Sequence, residues 1–300
     1  DRVCHHWIIL RLEPLMENVF SPRTFNCRKG RGTLYGVNQL KADIKACSEN
    51  FTKDCYGATA DMQGFFMSIP KAKLADVIDE FIVTYYEGDD KEDLRWLTRL
   101  LIMHRPELNC VVKSPESMWD KFPHSKSLRF GDGTKGEPIG NLISQIFANF
   151  YLNNFDWYLE MELGFKYHGR YVDDFYIIDT DKEKILRAMP KIRAYLANLG
   201  ITLHPHKFYL QHYSKGIRFV GSIVKFDRTY ILNRTVEGLK RSVHMVAVSK
   251  TLTELEHNVA SVNSYLGFMR HHSSYAIRRK VLTNAPPELW QYCIVKGKFY

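Results

Sequence analysis

Three acidic side chains are the residues in this sequence best suited to do chemistry. Asp61 closes the stretch ATAD, and Asp173 and Asp174 sit between the apolar pieces YV and FYII. An arbitrary pair of aspartates is more often a solvated turn. Two acids set between apolar strands, however, repel each other at close range, and a bound cation is a common reason for such a pair to persist. Carboxylate oxygens suit Mg²⁺. Attack of a 3′-hydroxyl on a nucleoside triphosphate uses two divalent ions about 3.5 to 4 Å apart, bridged by carboxylates. Asp61 is far from the other two along the chain, so only a fold that makes the two strands neighbours can build such a site.

The surrounding residues predict how that would be done. ATADMQGFFMSIP reads as strand, turn and helix start, with Ser68 and Pro70 as the start signals. Leu74, Val77, Ile78, Phe81, Ile82 and Tyr85 follow at helical spacing. Residues 109–136 show little periodicity and read as a long loop or small insertion. NLISQIFANFYLNNFDWYLE reads as one long apolar helix with Asn141 as its cap. KYHGRYVDDFYIIDT reads as two strands joined at the acidic pair, since aspartate tolerates the left-handed backbone of tight turns. A helix through Ile185 to Leu196 ends near Gly200, and ITLHPHKFYL and GIRFVGSIVK read as short strands. From about Asn233 the pattern is helical, with Arg270, Arg278, Arg279 and Lys280 beside it. Intermixed strands and helices predict an α+β fold.

Composition agrees with a folded, polyanion-binding protein. Of 300 residues, 45% are hydrophobic and 25% charged, outside the regime of disorder. A formal charge of +9 favours nucleic acid or an anionic surface without choosing between them. No apolar run approaches the roughly 18 residues that span a bilayer, and the opening residues lack signal-peptide regions, so a soluble intracellular protein is expected. Six cysteines occur without a CxxC pair and are expected to be reduced packing residues. The histidine pairs at 5 and 6, 204 and 206, and 271 and 272 lack zinc-site patterns and are expected at the surface or facing RNA.

These pieces resemble a known family. YVDD at 171–174 resembles the signature hairpin of reverse transcriptases, ADMQGFF at 60–66 their first catalytic strand, and GEPIGNLISQIFANFYLN at 136–153 their template and nucleotide-binding helix, in the same order. The IGNLISQ form resembles that of diversity-generating retroelements, where group II intron and retroviral enzymes generally carry Gln and Pro at the positions of Ile139 and Gln145. NCRKGRGTLYG, WLTRLLIMHRPELNC, FPHSKSLRF, LHPHKFYLQ and SYLGFMRHHSSYAIRR fit the same family, so the likeness covers most of the chain.

The resemblance implies a right hand: fingers and palm over 1–230, with a three-stranded antiparallel palm sheet backed by helices, and a helical thumb over 231–300. It implies Asp61, Asp173 and Asp174 as ligands of two Mg²⁺ ions, for which Mn²⁺ can substitute, with the Met62 carbonyl as an extra ligand. Phe66 matches the aromatic that rejects a ribose 2′-hydroxyl, although its spacing fits a core aromatic equally well. Ile139, Gly140 and Gln145 match the nucleotide-binding positions, and an apolar Ile139 cannot make the hydrogen bonds of Gln. Lys207 matches a lysine that protonates departing pyrophosphate, and Phe219, Val220, Gly221 and Ser222 match the primer grip, where glycine permits close backbone approach. Arg28, Lys29 and Arg31 form a basic cluster suited to RNA phosphates.

The implied reaction is error-prone, adenine-directed cDNA synthesis from a template-repeat RNA, with primer, dNTPs and a small basic helical accessory variability protein as partners, by a cytoplasmic protein of bacterial, archaeal or phage-encoded origin. Rivals are a retron, group II intron-like or CRISPR-associated reverse transcriptase, and an RNA-binding protein of the same fold without catalysis. Asp1 and Arg2 resemble the DR of the second fingers motif, so the basic strand that usually precedes it and grips the triphosphate is not found in this sequence, and either the sequence is clipped or poor nucleotide binding is expected. No RNase H, endonuclease or zinc-tail motif accompanies them.

Overall fold

A computed structural model describes residues 2–119 and 121–292. Helices α1 (Arg2–Val19) and α2 (Thr33–Cys47) lead into strand β1 (Tyr56–Met62), the short α3 (Phe65–Ser68), and the helical hairpin α4 (Lys71–Tyr85) and α5 (Lys91–Met103). Between α5 and α6 (Leu142–Tyr151) the chain makes four single 3₁₀ turns, as its weak periodicity predicts. The long helix expected after Gly140 is broken. Its backbone departs at Leu152, resumes as α7 (Asn153–Trp157), and finishes in a π-helical turn over Tyr158–Glu162. Asn141 precedes α6 but makes no side-chain cap bond. Strands β2 (Tyr167–Tyr171) and β3 (Asp174–Asp179), helix α8 (Lys182–Asn198) and strand β4 (Leu203–His212) complete the first sheet. Strands β5 (Ile217–Phe219), β6 (Ser222–Val224) and β7 (Thr229–Ile231) precede four helices, α9 (Asn233–Ala247), α10 (Leu252–Met269), α11 (Tyr275–Thr283) and α12 (Leu289–Tyr292).

The fold is α+β, and the palm sheet has four strands rather than three. It runs β2-β3-β1-β4, and β5-β6-β7 form a second sheet. The fourth strand arises because LHPHKFYLQH, although interrupted by Pro205, pairs with β1 as far as Tyr56↔His212. Strand alternation divides the sheet's two faces. Ala58, Ala60, Met62, Phe175 and Ile177 point into the main core with α1, α4, α6 and α8. Tyr176 and Ile178 point the other way, into a second core with Phe25, Leu40, Ile44, Ile217 and Phe219. Asp61 and Asp174 share this second face, at the end of the strands where no side chain covers them fully. The C-terminal helices close a third core around Leu239, Val243, Val262 and Met269. No helix among the described residues is long and apolar enough to cross a membrane.

Candidate active site

The register that buries the apolar faces also brings the acids together. In the antiparallel pair β1–β3, Asp61 lies directly opposite Asp174. The Met62 N–H donates to the Asp173 carbonyl at 3.2 Å, which draws the β2–β3 turn against the end of β1. Burial and then the neighbouring carboxylates of Asp173 and Asp61 push Asp174 up to about 7, and burial followed by Asp61 raises Asp173. Lys207 Nζ donates to Asp61 Oδ2 at 2.6 Å and is held in its charged form by that bond. The ion pair depends on an irregularity. Ala60 pairs with Phe208 but Met62 with Leu203, so residues 204–207 bulge out of β4 and Lys207 leans over Asp61.

The turn holding the acids differs from expectation. Left-handed backbone falls not on an aspartate but on Val172, at φ 57°. Its strain is held by a buried polar framework behind the turn, which includes Arg170 and Asp156, both fully buried and ion-paired at 2.6 Å.

Asp61, Asp174, Lys207, Arg218, Arg234 and the hairpin Phe219–Ser222 line one cleft of about 320 Å³. The hairpin is β5–β6, with Phe219 paired to Ser222. Val220 and Gly221 between them both have positive φ, 38° and 83°, as a tight two-residue hairpin turn of this hand needs. Gly221 is therefore required by its backbone angle. A Cβ there would meet only Phe268, at an ordinary 3.6 Å. Arg218 and Arg234 have no place among the sequence motifs. The only sequence signal for Arg218 was its outward position between buried Ile217 and Phe219.

The nucleotide-binding candidates lie along a separate strip. Phe66 packs on the main core and against Phe65 at 5.4 Å, and its carbonyl accepts from the Glu137 N–H at 2.8 Å. The motif loop is thus tied to the segment after Asp61, a tie repeated by Gly136 N–H to Ile69 O at 2.9 Å and Lys71 N–H to Thr134 O at 3.0 Å. Ile139 is 67% exposed. It lines a second hollow of about 860 Å³ with Met67, Trp119 and Leu128 rather than the acid cleft. Gly140 has φ 101° and open space around it. The Gln145 Oε1 accepts from the Cys27 thiol at 3.6 Å.

Several expected positions are corrected. Arg28 is buried, with its guanidinium bound to Glu17 through Nε and Nη2 and to the Ser21 carbonyl at 2.6 Å, so it belongs to the framework and not to an RNA-facing cluster. Arg31 bonds the carbonyls of Pro22 and Thr24, and Lys29 alone of the three is exposed without a fixed partner in the structure. His5 and His272 are buried rather than at the surface. Arg278 is buried as well, its Nε donating to Ser274 Oγ at 3.1 Å. Cys27 and Cys110 are exposed rather than packed, while Cys47 and Cys55 are buried as expected. Asp1 and Cys293 lie outside the described residues.

Sequence and shape comparisons fit this geometry. Residues 1–224 match the family "Reverse transcriptase (RNA-dependent DNA polymerase)". The chain belongs to the reverse transcriptase family. Among solved structures it is similar to telomerase from Candida tropicalis in complex with a TWJ fragment of telomeric RNA, with TM-score 0.53 and 15% identity over 92% of this chain and 47% of the other. It is also similar to apo telomerase from Candida tropicalis truncated from its C-terminal domain, with TM-score 0.52 and 15% identity over 76% and 45%. At such identity the likeness shows the fold, and this chain spans about half the length of those telomerases. No curated protein matches the sequence.

The donor set suits the divalent ions that reverse transcriptases generally use. Among the described residues, no three His, Cys, Asp or Glu groups are already gathered tightly enough to enclose an ion. Burial first, and then the negative charge of neighbouring carboxylates, lifts Asp173 and Asp174, and a divalent cation held by these carboxylates and Asp61 would offset that charge. The three candidate ligands at this end of the sheet are carboxylates, whose oxygens fit a hard cation.

Proposed function

We propose that the protein polymerises DNA on an RNA template, with Asp61, Asp173 and Asp174 holding two Mg²⁺ ions. The observation that carries this reading is the placement of Asp61 opposite Asp174 in one cleft with Lys207 and the β5–β6 hairpin. When bound, the ions activate the primer 3′-hydroxyl and stabilise the leaving pyrophosphate. Lys207 holds a proton beside Asp61 and can deliver it to the leaving group. Phe219 to Ser222 set the primer backbone against the cleft, while Arg218 and Arg234 supply positive charge along its wall for phosphates. Phe66, fixed through its carbonyl to the motif loop, restricts the room for a ribose 2′-hydroxyl.

The finer reading is a diversity-generating reverse transcriptase that copies a template-repeat RNA with errors opposite adenine, in a complex with a basic helical accessory protein. The IGNLISQ form supports it, as does the apolar, exposed Ile139, which offers a nucleotide no hydrogen bond.

The test is primer extension by the full-length protein on an RNA template with Mg²⁺, against Asp173→Ala plus Asp174→Ala. Extension by the native protein alone supports the polymerase reading, and no extension overturns it. Misincorporation opposite template adenine that falls in Ile139→Gln supports the finer reading. Faithful copying of adenine by the native protein overturns it.

A further inference from the structure

Val172 precedes Asp173 and carries a φ of 57°, a backbone that a β-branched residue adopts only where its surroundings impose it. Both of its backbone polar groups are engaged. Its N–H donates to Asn26 Oδ1 at 2.9 Å, and its carbonyl accepts from Arg170 Nη1 at 3.0 Å. The ring closes behind the turn, because Arg170 also donates to the Asn149 side chain at 3.1 Å and Asn149 Nδ2 donates to the Asn26 carbonyl at 3.1 Å. Asp156 anchors the other edge of the guanidinium at 2.8 and 2.6 Å, and Thr24 Oγ1 steadies Asp156 at 2.7 Å.

Beyond the Arg170–Asp156 pair, the framework holds both backbone polar groups of Val172, the residue from which the chain enters Asp173. The Asn26 side-chain oxygen serves Val172, and it comes from the loop before α2, far from the turn in sequence. We propose that Asn26 and Arg170 are positioning residues, which hold Val172 left-handed and so aim Asp173 and Asp174 at Asp61. This rests on the reading of the three aspartates as metal ligands.

Its test measures Mn²⁺ affinity by electron paramagnetic resonance, without turnover, on the protein bound to an RNA template, a dideoxy-terminated primer and the next dNTP. Thermal unfolding of the free, metal-free protein is followed alongside it. Asn26→Ala is expected to weaken Mn²⁺ binding about tenfold, the scale of one hydrogen bond. Adding Val172→Gly is expected to return affinity to within about threefold of the native protein, because glycine takes a left-handed backbone without the clamp. A purely structural role lowers the unfolding midpoint while leaving the affinity alone and gives no such rescue.

Should Asn26→Ala not fold, Val172→Gly with and without Asn26→Ala decides the matter. Equal affinity supports the clamp, and a further loss of about tenfold overturns it. Native affinity retained in folded Asn26→Ala also overturns it. Asp174→Asn separates the two levels: if neither this variant nor Asn26→Ala weakens binding, the ligand assignment itself has failed, whereas weakening by Asp174→Asn alone removes only the clamp.

Discussion

Lys207 Nζ lies 2.6 Å from Asp61 Oδ2, across a pair of strands whose register slips at that point. The lysine side chain is half exposed, so the pair contributes under about 1 kcal/mol to stability. Its value in the proposed reaction is a proton held at the leaving-group side of the cleft. Lys207→Ala should therefore leave the unfolding free energy within about 1 kcal/mol of native. Single-turnover nucleotide incorporation should fall by about 10² or more. Equal losses in both would make Lys207 structural.

Arg28 and Lys29 are adjacent and both basic, but only one is free to meet RNA. Arg28→Ala leaves Glu17 without its partner and removes one donor from each of the Ser21 and Thr24 carbonyls, and should destabilise the fold by about 2 kcal/mol or more. Lys29→Ala should leave stability unchanged and reduce the slope of log affinity for RNA against log salt by about 1. Denaturant unfolding and a salt titration of RNA binding distinguish the two.

Glu137 is buried beneath the motif loop, accepts one bond from Ser144 at 3.2 Å and leaves Oε1 without a partner. Burial pushes it up from 4.5 to about 7, against the opposing pull of Lys71. The folded state then binds the proton more tightly than the unfolded chain. Its contribution is complete below pH 4.5 and is lost as pH rises through about 7, a change on the order of 3 kcal/mol. Glu137→Gln should flatten stability against pH over that window. An unchanged slope in the variant would assign the pH dependence to other groups.

His272 ties the C-terminal helices to the β5–β6 hairpin. Its Nδ1 faces the Phe268 carbonyl at 3.0 Å and so carries the hydrogen, leaving Nε2 to accept from Ser222 Oγ at 2.8 Å. Burial lowers its pKa and favours this neutral form. His272→Ala should raise the KM for primer-template several-fold with a smaller change in the KM for dNTP, since the hairpin loses its brace while the acids keep theirs. The same shift in both constants would show that the hairpin does not report on primer alone.

Much of this site was legible because strands and their acids leave local signatures. ATAD and YVDD mark where apolar alternation meets carboxylates, and the helix through Leu74 to Phe81 follows from spacing. The basic cluster misled because charge in sequence does not say whether a partner such as Glu17 waits in the fold. Helix α1 was missed although Ile8, Leu12 and Met16 recur at helical spacing. ITLHPHKFYL reads as a strand, with Pro205 tolerated because it sits in a bulge, but its pairing with β1 as a fourth palm strand has no local signature. The clamp on Val172 was invisible, since buried polar contacts between Asn26, Asn149 and Arg170 join distant segments and follow no period.

The central claim is that Asp61, Asp173 and Asp174 act together on divalent cations to extend a DNA strand along RNA. Its most direct measurement is dNTP incorporation on an RNA template with Mg²⁺ by the native protein and by Asp61→Asn, with folding of both verified by thermal unfolding. The account predicts extension by the native protein and a loss of about 10³ or more in a folded Asp61→Asn variant. A folded Asp61→Asn protein that extends the primer at the native rate would contradict it.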